Sequence, residues 1–401
     1  MKILLVYPPV SRSADLSSNA LPLGLLSVAG FLRVQGHRVR ALNLELGGSL
    51  PSRSAQQMRQ AYSRNDVVGY VDNPQSSYRV RFRQVLVDFL PDRVALSCLT
   101  EQIDAARRLA EDARAILPKV AVEFGDVGNR SSAWIRQVAE AAFLSDPALD
   151  LLAGQNPPDS FGTILTSQIN RSLKDRPITF LPADVLDRRI KLAAELGANR
   201  LQIADESFTL NLRHAIDVAN LLGRTGLPWT ALVQAEAIVR QAQLVEYFKS
   251  HGCVEVTFTL DSGSPRVLGL AQQSIDPEHF LRAGELLDQA GMPYGVTTRI
   301  GYPGETDEDV SLTANLVSQL AARRVWAGAV VPYHGTALHD RRPDIVARAG
   351  KWPFCRWSPF DPTFLCDRKG NRIAGPTAAA IREFYTQVES AKEARVAVAA
   401  K

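Results

Sequence analysis

Short apolar runs alternate with amphipathic stretches along most of the 401-residue chain. KILLVYP (2–8) is an apolar run stopped by Pro8 and Pro9, and it reads as a buried strand. LPLGLLSVAGFLRVQG (21–36) then repeats apolar residues at helical spacing and stops at Gly36, a C-terminal helix signal. HRVRALNL (37–44), RVALSCL (93–99), KVAVEFG (119–125) and LDLLAG (149–154) predict four more strands, with helices near 79–90, 101–116 and 131–143. Five strands with helices between them predict an α/β fold, a doubly wound parallel sheet of Rossmann type with ligands at the strands' carboxyl ends. Residues 47–78 are polar and irregular and read as a surface excursion.

The strand–helix beat then resumes. FGTIL (161–165), NRLQIA (199–204), WTALV (229–233), VEVTFTL (254–260), YGVTTRI (294–300) and WAGAVV (326–331) predict strands. Helices are expected near 183–196, 211–224, 236–250, 277–291 and 306–322. Six βα units predict a partial or complete parallel barrel, with reactive groups on the loops after the strands. NPPDS (156–160) is the expected linker. The expected domains are thus 1–155, 156–340 and an extension, 341–401. That extension carries Trp352, Phe354, Trp357, Phe360 and Phe364, then a helix from about 376 that becomes Ala-rich and frays.

Charge and cysteine content narrow the classes. The net charge of +4 comes from arginines scattered along the chain, unlike the concentrated footprint of a nucleic-acid binder. No run approaches the roughly 20 apolar residues of a membrane span, and the N-terminal run is too short for a signal peptide, so a cytoplasmic protein is expected. Cys98, Cys253, Cys355 and Cys366 are widely spaced, with no C-x-x-C pair for a local zinc or iron–sulfur clip. Cys253 is expected to precede its strand, at the end opposite the barrel mouth.

The residues just after each predicted barrel strand are polar. Asp205-Glu206-Ser207 follows the second strand, Gln234 the third, and Asp261-Ser262-Gly263-Ser264 the fourth. Arg299 and GYPGET (301–306) close the fifth, and Tyr333-His334-Gly335-Thr336 the sixth. Gly301, Pro303 and Gly304 let backbone approach a ligand, and Glu305 suits an acceptor or an early-turn helix acid. Each cluster also has a plain structural use. Asp205 or Ser207 can cap the next helix, and Asp261-Ser-Gly-Ser can be a capped turn.

These stretches resemble a known family. LPLGLLSVAGFLRVQGHRVRALNL resembles the P-P-L-G-L-x-x-L-A-x-x-L-x-x-x-G-H-x-V opening of cobalamin-binding domains attached to radical S-adenosylmethionine (SAM) enzymes, and RVALSCLT their D-V-V-G-I-S-x-x-T strand. ADESFTLN (204–211) is similar to D-D-x-F-x-x-N, LDSGSPRVL (260–268) to E-S-G-S-x-x-V-L, IGYPGETDED (300–309) to I-G-L-P-G-E-T-x-E-D, and VPYHGTAL (331–338) to P-x-P-G-T-x-L. The resemblance covers about residues 1–340. It implies a cobalamin-binding sheet followed by a (β/α)6 partial barrel of radical SAM type. It also implies cobalamin between the strand ends and the barrel mouth, where Pro8, Pro9, Leu23, Gly24, Cys98, Thr100 and Gly125 are the candidates by position; the alternative is a retained Rossmann scaffold that only supports the barrel. No D-x-H-x-x-G motif is present, so no lower histidine ligand is expected and the cobalamin would be base-off.

In that family the loop after the first barrel strand reads S-R-G-C-x-x-x-C-x-x-C and its thiolates hold a [4Fe–4S] cluster that binds SAM. Here the strand runs into TSQINRSLKDRP (166–177), with Ser167 kept, Gln168 for the arginine and Asn170 for the first cysteine. Amide and guanidinium groups do not replace soft thiolates, so no [4Fe–4S] cluster is expected. SAM would then be held by Asp205, Glu206, Gln234, Asp261, Ser262, Ser264, Arg299, Gly301, Tyr302, Gly304 and Glu305, with Gln168, Asn170 and Arg171 near the lost cluster. Arg171, Lys174 or Arg176 would partner the methionine carboxylate in place of iron.

The resulting expectation is a cluster-free enzyme of specialised (natural product) biosynthesis that transfers a methyl group to a small molecule by polar chemistry. A cyclisation or elimination with Asp205, Glu206 or Asp261 as base and Tyr333 or His334 as acid is a second form. A non-catalytic cobalamin carrier or structural subunit, paired with an intact radical SAM homologue, is the alternative class.

Overall fold

A computed structural model of the chain describes residues 1–9, 23–44, 71–98, 102–126, 133–142, 148–152, 162–164, 166–169, 178–195, 198–205, 208–271, 273, 275–302, 304–330 and 375–399. These residues gather into two compact units. One comprises residues up to 163 together with 169–199, and the other 164–168, 200–330 and 375–399. No helix among the described residues is long and apolar enough to cross a membrane.

In the first unit, β1 (Lys2–Tyr7), β2 (Arg38–Asn43), β3 (Arg93–Cys98) and β4 (Ala121–Asp126) form a parallel sheet in the order β2-β1-β3-β4. Ile3, Leu4, Leu5 and Val6 are buried one after another, because both faces of the sheet are covered. On one face Leu4, Val6, Val94 and Leu96 pack with α2 (Ser77–Phe89) and α3 (Ile103–Ile116) through Phe82, Leu86 and Leu109; α1 (Leu23–Val34) and α4 (Ala133–Ala142) cover the other face. The fifth strand expected at 149–154 does not form: Leu149–Leu152 is a turn of 3-10 helix. A six-residue apolar run is too short for periodicity to separate a strand from a helical turn.

The second sheet starts at β5 (Gly162–Ile164). Two three-residue strands, β6 (Ser167–Ile169) and β7 (Ile178–Phe180), form a sheet of their own, and α5 (Ala183–Glu195) follows. The main sheet continues through β8 (Leu201–Ile203), α6 (Leu212–Gly223), β9 (Trp229–Val233), α7 (Ala235–Arg240), α8 (Gln243–Ser250) and β10 (Cys253–Leu260). It ends with α9 (Pro265–Leu270), α10 (Pro277–Gln289), β11 (Tyr294–Ile300), α11 (Asp307–Gln319) and β12 (Arg324–Ala329). Its order, β12-β11-β10-β9-β8-β5, is sequential, as in a partial parallel barrel.

The bounds of β9 and β11 coincide with the expected strands, whereas β10 takes in Cys253, which therefore begins the strand instead of preceding it. The stretch 236–250, expected as one helix, is interrupted at Gln241 and Ala242. The unexpected α9 has Pro265 at its first turn and Ser264 as its cap. The tail helix α12 (Ala378–Ala399) runs for 22 residues instead of fraying. Alanine is the best helix former, and α12 docks on α11 through Thr377–Asp307 and Gln387–Asn315 hydrogen bonds with Phe384 buried.

Burial alternates along this second sheet. Trp229, Ala231, Val233, Val256, Phe258, Leu260, Tyr294, Val296 and Ile300 are buried on one face, with Phe258 stacked between Phe280 and Tyr294 at 6.3 and 5.7 Å. The intervening Thr230, Leu232, Glu255, Thr257, Thr259, Thr297 and Arg299 are only partly covered. Register aligns them in rows: Leu232, Thr257, Gly295 and Arg324, then Thr259, Thr297 and Trp326. Gly295 is required there, since a Cβ would stand 2.9 Å from the Trp326 ring.

Candidate functional site

The partly covered face ends, at the strands' carboxyl termini, in Asp261 and Arg299. Asp261 follows β10 directly, and its backbone carbonyl accepts from the Arg299 N–H at 3.4 Å. Asp261 Oδ2 accepts from Gln273 Nε2 at 3.0 Å, whereas Oδ1 is buried and, among the described residues, has no direct hydrogen bond of its own. The nearest cationic atom to Oδ1, Arg299 Nε, is 3.7 Å away. The phenol of Tyr302 lies against Asp261, and burial, reinforced by the Asp261 charge and by a hydrogen bond to its carboxylate, pushes the phenol's pKa up.

Glu305 organises the turn beside it. Gly301 and Gly304 have φ of 102° and 81°, in the left-handed region that favours glycine. Glu305 is 1% exposed and turns back so that Oε2 accepts from the N–H groups of Gly301 and Tyr302, while Oε1 is buried without a partner. Burial pushes its carboxyl up to about 7, against the two N–H groups that favour the ionised form.

Asp309 ties this turn to the loop after β10. Its side chain accepts from Ser264 Oγ at 2.6 Å, from Thr306 N at 2.8 Å and from Thr306 Oγ1 at 2.7 Å, and it pairs with Arg266. Thr306 completes a capping box at the start of α11. Burial pushes the Asp309 carboxyl up, but these donors outweigh it and hold the group well below the usual carboxylate range. Ser262 is fully buried against Thr313, and Ser264 caps α9. A Cβ at Gly263 would stand 2.7 Å from both Leu312 O and Thr313 Cα, so the loop and α11 touch backbone to backbone.

Asp205, after β8, is buried with both oxygens engaged: Oδ2 accepts from Thr166 N at 2.9 Å and Oδ1 from the Ser167 hydroxyl. The Thr166 hydroxyl meets His214 Nε2 at 3.0 Å. Burial lowers the His214 pKa. Sequence reasoning missed His214, because its link to Thr166 spans 48 positions and no local spacing announces it. Gln234 precedes α7 and donates its N–H to Thr209 Oγ1 at 2.8 Å.

The remaining sequence candidates are more dispersed. Pro8 and Pro9 follow β1, Leu23 and Gly24 open α1, Cys98 ends β3, Gly125 lies in β4 and Gln168 in β6. Thr100, Asn170, Arg171, Glu206, Tyr333 and His334 lie outside the described residues, as do Cys355 and Cys366. Cys253 is buried at the amino end of β10, the end away from Asp261, and burial pushes its thiol up to about 12. Among the described residues no group of three or more His, Cys, Asp or Glu side chains is placed to hold a metal ion.

Residues 165–317 match the radical SAM superfamily. Over 158 residues the chain is 29% identical to an uncharacterized methyltransferase, PH0819, of Pyrococcus horikoshii, covering 39% of this chain and 34% of that protein. Over 163 residues it is 34% identical to cytidylyl-2-hydroxyethylphosphonate methyltransferase of Streptomyces wedmorensis, covering 39% and 30%. The chain thus spans about a third of the length of these curated relatives. Among solved structures, the radical SAM methyltransferase TsrM from Kitasatospora setae, determined with cobalamin and a [4Fe–4S] cluster bound, superimposes with a TM-score of 0.62 at 13% identity, over 96% of this chain and 90% of that one. The cobalamin-dependent SAM radical enzyme OxsB, with aqua-cobalamin and SAM bound, superimposes with a TM-score of 0.56 at 12% identity, over 89% and 56%. The chain therefore carries a radical SAM domain, set in the α/β architecture that TsrM and OxsB share.

Proposed function

We propose that this chain is a methyltransferase of small molecules that uses SAM and cobalamin without a [4Fe–4S] cluster, by polar and not radical chemistry. The observation that carries the reading is the segment after β5: residues 166–177 open the radical SAM match and contain no cysteine. Iron–sulfur clusters are held by thiolates, for which amide and guanidinium groups are no substitute. Cys253 does not fill the gap, since it lies at the wrong end of its strand and its burial disfavours the thiolate. Methyl transfer is supported by the relatives, two of which are named methyltransferases, and by the fold shared with TsrM.

The residues around Asp261 fit a ligand such as SAM. A buried carboxylate oxygen without a partner costs about 1–3 kcal/mol unless a donor reaches it, so Oδ1 favours a ligand N–H or O–H. Among the described residues, nothing stands within 4 Å of where a Cβ at Gly304 would lie. Of the described carboxylates at this end of the sheet, Asp205 is occupied by Thr166 and Ser167, and Glu305 gives one oxygen to its own turn. Asp261 and Glu305 each keep one oxygen for a ligand, and Asp261 is the one beside Arg299. When bound, SAM supplies an electrophilic methyl group and cobalamin a carrier for it.

Anaerobic reconstitution with iron, sulfide and hydroxocobalamin, followed by metal counting and by incubation with methyl-labelled SAM and a low-potential reductant such as titanium(III) citrate that brings the cobalamin to cob(I)alamin, tests the proposal. Stoichiometric cobalt without iron, with label leaving SAM, is the expected result. Stoichiometric iron overturns the cluster-free reading. Cobalt with no movement of label overturns the methyltransferase reading and favours a cobalamin carrier.

A further inference from the structure

We infer that the partly covered face of the second sheet takes an aromatic ring of the methyl acceptor, laid on the indole of Trp326. The inference rests on the proposed methyl transfer and narrows its substrate to planar aromatic molecules. Trp326 lies in one row with Thr259 and Thr297, a row short of Gly328 and the strands' carboxyl ends. Its ring leans across Gly295, where a Cβ would stand 2.9 and 3.3 Å from two ring atoms, so any side chain there would lift the indole off the sheet. The Arg324 guanidinium, itself paired with Glu255, lies over the ring at 5.4 Å from its centroid. Arg324 precedes Trp326 by two positions in β12 and so holds the ring from the side away from the carboxyl ends.

On the other side the next residue of this face is Gly328, and among the described residues nothing stands within 4 Å of where its Cβ would lie. The result is a flat floor with a slot above it, open toward the end of the sheet where the polar loops gather. Trp326 is only partly covered, and its indole N–H makes no hydrogen bond among the described residues. A tryptophan used for packing looks different in this fold. Trp229, fully buried on the opposite face, donates its N–H to the His251 carbonyl at 2.7 Å and meets Phe208 and Phe248 edge to face. An aromatic ring stacked offset on an indole gains more than its buried area, whereas a puckered ring of the same carbon skeleton does not. That difference points to an aromatic acceptor.

Saturation-transfer NMR of the full chain with 2-naphthol and with decahydro-2-naphthol, which share a skeleton and a hydroxyl but differ in flatness, tests the assignment. The wild type is expected to bind 2-naphthol, with a nuclear Overhauser contact between the naphthol ring and an indole N–H that is lost in Trp326→Phe. Trp326→Leu is expected to weaken 2-naphthol about fivefold or more and Trp326→Phe by less than about twofold, with decahydro-2-naphthol unchanged in both. Melting temperatures show whether Trp326→Leu folds, and if it does not, the Overhauser contact and Trp326→Phe decide. Equal weakening of both naphthols, no binding to the wild type, or no Overhauser contact overturns the inference. So does S-adenosylhomocysteine weakened by Trp326→Leu as much as 2-naphthol, since the indole would then serve the cosubstrate. The naphthol titrations need neither SAM nor cobalamin, so the slot can fail while labelled methyl still leaves SAM, and the reverse.

Discussion

The two parallel sheets of this chain have the same kind of connection but opposite treatment of their faces. In the first, β1 is buried at four consecutive positions, because helices cover both sides. In the second, β9, β10 and β11 alternate buried and partly covered residues, a pattern more usual in antiparallel sheets with one wet face. The polar set on that second sheet (Thr257, Thr259, Thr297, Arg299) has little structural reason to exist unless the face meets something other than apolar protein. Continuous burial marks scaffold, and alternation in a parallel sheet marks a face that apolar protein does not seal.

Substitutions that probe each face test this contrast. Phe258→Ala, on the covered face of the second sheet, is expected to cost about 4 kcal/mol, no less than a large-to-small change in the first sheet. Denaturant unfolding measures it, and a loss below about 1 kcal/mol would break the picture of one sealed face.

Glu305 predicts a pH signature. Its folded value of about 7 lies above the ordinary 4.5, so the native state holds its proton more tightly than the unfolded chain does. That contribution is fully present below about pH 4.5 and is lost as pH rises through about 7, a change of about 3 kcal/mol. Glu305→Gln, which does not titrate, should match the wild type near pH 4.5 and exceed it above pH 7. Melting temperatures across that range are the check, and parallel curves would count against it.

Asp205→Asn is expected to cost about 2 kcal/mol, since an amide can no longer accept from both Thr166 N–H and the Ser167 hydroxyl. An unchanged melting temperature would make Asp205 a second carboxylate free for a ligand.

The finest comparison is a matched pair of isosteric swaps. Val6→Thr puts a hydroxyl into the doubly covered sheet and should cost about 1.5 kcal/mol, whereas Thr257→Val on the partly covered face should change stability by less than about 0.5 kcal/mol. Equal costs would mean that the two faces are not different after all.

Much of this architecture was legible in the residues themselves. WTALV and YGVTTRI coincide with β9 and β11 because β-rich composition and clear boundaries agree there. Counting to the ends of the predicted strands placed Asp261, Arg299 and Gly301 at the edge where they lie. The Ser264-Pro265 start of α9 was also present in the residues but read equally well as a turn. What local pattern could not separate was the fate of each carboxylate. Asp205 is engaged by residues 38 and 39 positions away, whereas the Asp261 oxygen stands 3.7 Å from the nearest Arg299 nitrogen, too far for a hydrogen bond. Both facts belong to tertiary packing and leave no trace in spacing.

The backbone contact at Gly263 reaches beyond stability. With Leu312 and Thr313 pressed against it and no room for even a methyl group, residues 261–264 and the middle of α11 are shaped to one another. A lineage that altered one without the other would lose both, so new specificities at this mouth should arise by exchanging the two segments together. A combinatorial library that randomises the Asp261 loop alone would therefore consist mostly of chains that cannot close, and one that draws both segments from the same relative would not.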